Sequence, residues 1–232
     1  GCNAQQKSQS VPPTAQAVTK APTSFTPDIE LALTATTGST QILSGKATTV
    51  WTYRGEVLKG DPSALQTIPN TYLGPIIRAS KGQKLRVHLK NDLPEDTIIH
   101  WHGLVVPPEM DGHPKYAIKP GESYVYEFEV KNRAGTYWFH PHPHGRTAQQ
   151  AYAGLAGLLI VSDDEESGLS LPKPEYEVPL VIQDRLFDAN NQFVYAGSDP
   201  MVKMMGLLGD KILVNGQVDV TLPLATRIYR LR

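Results

Sequence analysis

The sequence predicts an all-β fold of the sandwich or barrel kind, and three observations carry that prediction. Short apolar segments recur along the chain, and Gly, Pro, Asn and Asp punctuate them. Turn signals come every ~8 to 12 residues, the spacing of a sandwich or barrel of short strands. Inside the segments, apolar and polar residues alternate with a period of two, as in a strand with one buried face. The 232 residues suffice for one large domain or two smaller ones with their own cores.

Order is expected from near Asp28, where "IELALTATTG" and then "ATTVWTYRG" give the first two strands. In "PIIRASKGQKLRVHLKND", Leu85, Val87 and Leu89 alternate with Arg86, His88 and Lys90, so the three apolar side chains share one face. "ESYVYEFEVKNRAGTYWFH" repeats that alternation in "YEFEV", and "AGLLIVSDD" and "EVPLVIQDRLF" supply further strands. Only "RTAQQAYAG" looks helical, and it is short.

Composition breaks divide the chain. A first β domain is expected over residues 24–164, closed by the acidic, polar segment "SDDEESGLSLPKPE", with a second set of strands in residues 165–232. "TRIYRLR" sets Tyr229 and Leu231 opposite Arg230 and Arg232, and the sequence stops within that alternation. A domain that stops in mid-strand is poorly able to bury a core. The expectation is therefore an amino-terminal part of something longer, with its second domain incomplete.

Charge and hydropathy exclude several classes. Lys and Arg number 22 against 23 Asp and Glu, so a net charge of -1 offers no general pull toward nucleic acid or anionic lipid. The apolar run "GLAGLLIV" is far short of the ~20 residues that span a bilayer as a helix. The single cysteine, Cys2, has no internal disulfide partner. "GCNAQQ" followed by a stretch rich in Ser, Thr, Gln, Ala and Pro reads as a lipoprotein-like leader and solvated tether over residues 1–23. That reading implies a periplasmic or cell-envelope location with a lipid on Cys2; the alternative is an incidental thiol.

Five of the seven histidines fall in two short stretches, "HWHG" and "WFHPHPHG". Residues i and i+2 of a strand project from the same side, so His100 with His102, and His140 with His142, each form a pair of imidazoles. Neutral imidazole suits copper, zinc, iron and nickel, and nitrogen ligands without thiolate or carboxylate favour copper. Four rings would also satisfy tetrahedral zinc. One H-x-H alone reads as surface or hydrogen-bonded histidines; two pairs, each at a strand end beside aromatic residues and Gly, point to metal.

"HWHG", then "MDG", then "GTYWFHPHPHG", then "GLAGLLIV" resembles the amino-terminal domain of a multicopper oxidase, the family of laccases and periplasmic copper-efflux oxidases. "GDKILVNGQ" and "TRIYRLR" resemble the opening of that family's second cupredoxin domain. The resemblance implies a cupredoxin-like Greek-key β-sandwich or barrel. It implies that His100 binds a type 2 copper and that His102, His140 and His142 bind a type 3 pair. These would be half the ligands of a three-copper cluster that reduces dioxygen to water with electrons from a phenolic or cuprous reductant. Asp111 matches a family acid near the cluster, and a carboxylate can relay the protons that oxygen reduction consumes; the alternative is an Asp-Gly turn.

Other residues carry weaker expectations. His144 continues the alternation and is expected to hydrogen-bond near the cluster, His88 to face solvent beside Arg86 and Lys90, and His113 to lie in a loop. Met201, Met204 and Met205 form a group that could hold Cu(I) or pack in a core. The family's type 1 copper and its Cys-containing motif, with the rest of the cluster ligands, have no counterpart in these residues. The chain by itself is therefore expected to lack oxidase turnover, and the remaining cupredoxin domains to be needed as partners. A metal-free or non-enzymatic structural relative of the same fold is the competing reading.

Overall fold

In the computed structural model, residues 24–232 are described. Cys2 and the leader over residues 1–23 lie outside them. The strands are β1 (Ile29–Thr40), β2 (Thr48–Lys59), β3 (Leu65–Gln66), β4 (Ile76–Ser80), β5 (Lys84–Asp92), β6 (Ile99–His102), β7 (Ser123–Glu129), β8 (Gly135–Pro141) and β9 (Gly157–Ser162). They form a four-stranded sheet in the order β2-β1-β5-β7 and a five-stranded sheet in the order β3-β4-β9-β8-β6.

The alternation read from the sequence is what joins the two sheets. On β5, Leu85, Val87 and Leu89 are fully buried while Lys84, Arg86 and Lys90 face outward. Leu31 and Leu33 of β1 and Tyr126 and Phe128 of β7 bury the same face of the first sheet. Ile77, Ile99, Trp101, Phe139, Leu159 and Val161 answer them from the second. Each such side chain contributes about 1.5–3 kcal/mol by leaving water. From β4 onward the chain crosses between the sheets at each step to β8, so β6 and β8 enter the same sheet as antiparallel neighbours with β7 opposite. This crossing brings the two histidine motifs side by side.

Helix α1 (Thr147–Ala153) follows β8, where "RTAQQAYAG" predicted it, and ends on Gly154 at φ 133°. There the Cβ of any other residue would meet the Trp51 carbonyl at 2.5 Å. A short helix α2 (Asp164–Ser167), capped by the Asp163 carboxylate, closes β9. Beyond it come β10 (Glu177–Val178), β11 (Ile182–Arg185), helix α3 (Pro200–Met205), β12 (Lys211–Val214) and β13 (Arg230–Leu231). β10 pairs with β13 and β11 with β12.

These later residues pack on the first sheets through Tyr72, Leu73, Leu213, Phe187 and Phe193. Arg185, buried, lies over the rings of Tyr152 and Phe193 at 4.3 and 5.1 Å and donates to the Tyr152 carbonyl at 3.1 Å. Met201, Met204 and Met205 are 60%, 75% and 71% exposed, which corrects the core-packing alternative. They lie on a six-residue helix none of whose residues is buried. No helix among the described residues is long and apolar enough to cross a membrane.

Candidate metal centre

The β6–β8 ladder decides which side chains meet. His100 stands opposite His140, His102 opposite Trp138, and Trp101 opposite Phe139. Trp101 and Phe139 turn inward and touch, with ring centroids 5.5 Å apart, so the even-numbered residues of both strands share the other face. The prolines of "HPHPH" fit this ladder. The His142 N–H donates to the Ile98 carbonyl at 2.9 Å, and hydrogen-bonded pairs alternate along an antiparallel ladder. Pro141, opposite Ile99, therefore falls where no N–H is wanted toward β6. On its other side β9 has already ended, at Gly157 opposite Phe139. The outward-facing N–H and C=O of Ile99 are both met by the buried Tyr126 hydroxyl, at 2.8 and 3.0 Å.

Ligand atoms of His100, His102 and His140 lie within 4.8 Å of one another. The shortest approach is across the strands, not within either H-x-H motif: His102 Nδ1 lies 3.2 Å from His140 Nε2. His142 completes the face, its ring 5.4 Å from that of His100 and 6.2 Å from that of His140.

Hydrogen bonds assign the tautomers. His140 Nδ1 donates to the Pro141 carbonyl at 2.8 Å and His100 Nδ1 to the Asp111 carbonyl at 2.7 Å. A carbonyl only accepts, so in the neutral ring each Nε2 carries a lone pair, that of His140 facing His102 Nδ1. Burial, opposed by the Pro141 carbonyl and assisted by the neighbouring histidines, pushes His140 down to about 4, so it is neutral at pH 7. Burial and the charge of His100 also hold His142 below the usual histidine value, against the pull of Gly112 and Asp111.

Asp111 reaches the same place from the loop after β6. Gly112, at φ 75°, packs so closely on the Ile99 carbonyl that a Cβ would lie 2.1 Å from it, and this approach carries Asp111 to His100. Asp111 Oδ1 is 3.3 Å from His100 Nδ1, but the single ring hydrogen goes to the nearer carbonyl. Oδ1 is therefore buried without a hydrogen-bond partner, although the side chain as a whole is 45% exposed. His142 Nδ1 is likewise buried, with the Gly112 backbone as its nearest polar neighbour rather than a well-formed hydrogen bond.

The donor set fits copper. Two nitrogens each ~2.0 Å from a shared ion at a near-tetrahedral angle lie ~3.3 Å apart, close to the His102–His140 approach. Trp138, half-exposed, stacks on His102 at 5.1 Å and packs tilted against His140 at 4.4 Å. Sequence reading did not single it out, although its place two residues before His140 sets it on the same face.

The remaining histidines lie elsewhere. His88 faces outward, 3.5 Å from Glu30 rather than free in solvent. His113 accepts from the Lys115 N–H at 3.1 Å and caps a single 3-10 turn. His144 is exposed, because β8 ends at Pro141 and the chain turns away. It lines a 480 Å³ hollow with Glu95, Asp96 and Arg146, and makes no hydrogen bond to the cluster among the described residues.

A two-sheet, all-β cupredoxin fold that presents three histidines on one strand pair and a fourth just past its end defines a class of copper protein, and the comparisons agree. The multicopper oxidase family profile matches residues 49–166. The chain is 38% identical over 177 residues to the multicopper oxidase mco of Staphylococcus aureus, covering 76% of this chain and 39% of that protein. It is 34% identical to a laccase of Bacillus stratosphericus (74% of this chain, 41% of the laccase). It is also 34% identical to the cell division protein FtsP of Xenorhabdus nematophila (78% of this chain, 37% of that protein). The crystal structure of the McoA multicopper oxidase from Aquifex aeolicus superposes with a TM-score of 0.74 at 39% identity, over 90% of this chain and 43% of that one. The chain belongs to the multicopper oxidase family, and it spans about two fifths of the length of these relatives.

Proposed function

We propose that the histidine face is half the ligand set of a three-copper cluster, with His100 on the type 2 copper and His102, His140 and His142 on the type 3 pair. Copper bound there supplies one-electron redox chemistry that couples oxidation of a phenolic or cuprous substrate to the four-electron reduction of dioxygen to water. The observation that carries the reading is the 3.2 Å approach of His102 Nδ1 to His140 Nε2, with a His100 ligand atom within 4.8 Å of both, close enough to share an ion. Neutral His140 offers its lone pair at pH 7 without first losing a proton. Asp111 keeps one oxygen buried beside His100 and the rest of its carboxyl open to water, which suits it to carry protons inward as oxygen is reduced. Trp138 shields the His102–His140 side of the site.

Further cupredoxin domains would bring the other ligands and the type 1 copper. The length of the relatives supports this, as do the exposed apolar side chains of Ile182, Leu208 and Ile212. The Cys2 leader supports a cell-envelope location, and a lipid label that enters the protein but not its Cys2→Ser variant tests it. For the activity, the full-length protein is loaded with copper and oxygen uptake is followed with a phenol or Cu(I). Uptake is expected, and full copper occupancy without it overturns the oxidase reading. The likeness to a cell division protein favours a non-enzymatic role as the alternative; a purified protein that takes up no copper would support that alternative.

A further inference from the structure

A buried polar network between α1 and the residues ahead of β6 lies outside the histidine face, and none of the chemistry above uses it. Gln150 is fully buried, and both polar atoms of its amide are paired. Its Oε1 accepts from Thr97 Oγ1 at 2.8 Å, and its Nε2 donates to Glu95 Oε1 at 3.0 Å and to the Asp96 carbonyl at 2.7 Å. Glu95 is also gripped by Arg146 through two bonds, at 2.9 and 3.0 Å. Both donors from the α1 side, Arg146 and Gln150, follow the "HPHPHG" stretch, and all their partners lie in residues 95–97, just ahead of "IIHWH".

His142 stands between these anchors. β8 has ended at Pro141, and the His142 N–H donates to the Ile98 carbonyl, one residue beyond Thr97. Its ring position therefore depends on how α1 is tied to residues 95–98. A buried glutamine is costly unless every polar atom is paired, and an apolar residue would fill the same space without that demand. A saturated glutamine instead fixes distance and direction.

We propose that Gln150 is a positioning residue: by tying α1 to residues 95–97 it sets where His142 stands relative to His100, and hence the spacing at which the two motifs hold their ions. The metal part of this rests on the copper-centre reading; the positional part does not.

Gln150→Met keeps the length and removes the amide, while Thr97→Val keeps the shape and removes one donor. Both are compared with the unaltered full-length protein by crystal structure of the metal-free form, and after copper loading by near-ultraviolet absorption and electron paramagnetic resonance. The His100–His142 ring separation, 5.4 Å here, is expected to shift by more than about 0.5 Å, and further in Gln150→Met. Copper retention should fall about tenfold, as when a ligand-orienting partner is lost, and copper that is silent as a coupled pair should become visible. A folded variant with a lower unfolding temperature but unchanged ring separation and unchanged resonance signal overturns the proposal and leaves Gln150 a purely structural residue. If Gln150→Met does not fold, Thr97→Val decides between the same two outcomes. A shifted ring in a protein whose unaltered form takes up no copper sinks the copper-centre reading and supports the positioning role alone.

Discussion

At the scale of single residues, the histidines separate by what the strand does with them. His142 has its Nδ1 buried against the Gly112 backbone, whereas His88 looks outward from β5 beside Glu30. His142→Ala in the full-length protein should lower copper content and type 3 absorption and stop oxygen uptake, while His88→Ala should leave all three unchanged. Equal behaviour of the two variants would show that the His142 ring is structural. Asp111→Asn keeps the carbonyl that orients His100 and removes only the carboxylate. We expect copper content to hold and kcat to fall about 10²-fold or more, the usual size of a lost proton-transfer group; undiminished kcat would return Asp111 to the Asp-Gly turn alternative. Trp138→Ala removes two ring contacts worth about 0.5–1.5 kcal/mol each and leaves the exposed His102 ring without its stacking partner, while His140 keeps its bond to the Pro141 carbonyl. Copper titration should show weaker binding by roughly tenfold with the fold retained, and unaltered affinity would mean that the ladder alone orients the rings.

At the scale of elements, β8 does two tasks with its two faces: Phe139 packs the core between Tyr53 and Trp101, each 5.5 Å away, while Trp138 and His140 build the site. A core shift is therefore felt at the histidines. Gly157 of β9 lies so close that a Cβ there would stand 2.2 Å from Phe139 Cζ, and that ring has no free space to move into. Gly157→Ala should destabilise by about 1–3 kcal/mol, the cost of overpacking. Urea unfolding measures this, with a loss of copper occupancy alongside. A variant as stable as the parent would show that this part of the core yields more easily than its packing indicates.

At the scale of the whole molecule, an ionic cluster fastens the later strands to the first sheets. Glu177 of β10 is buried among Arg78 of β4 and Arg232, with Glu166 of α2 also bonded to Arg232 and Arg230. Burial alone would raise the Glu177 carboxyl, but the Arg232 and Arg78 guanidiniums outweigh it and hold it below its ordinary 4.5. A carboxyl depressed on folding gives stability that is complete above about pH 4.5 and lost as pH falls through the lower folded value. Acid should therefore loosen the hold on residues 177–231, seen as a drop in unfolding temperature below pH 4.5. Glu177→Gln should cost about 3–5 kcal/mol at pH 7 and remove the share of that dependence that Glu177 contributes; an unchanged acid profile in the variant would place the loss elsewhere. What the sequence determined is local: the period of two in "KLRVHLK" and "YEFEV", the short helix after "HPHPHG" but neither α2 nor α3, and two imidazole pairs whose i, i+2 spacing puts both rings on one side wherever the segment is extended. Tertiary structure alone decided the rest. Pairing β6 with β8 made the closest nitrogens those of His102 and His140, one from each motif, and turned His144 away at the end of β8. It also left the Met201 group in water and saturated Gln150 with partners more than fifty residues away. Strand alternation is a property of neighbouring residues, but register and burial depend on which distant strand lies alongside, and no local pattern encodes that.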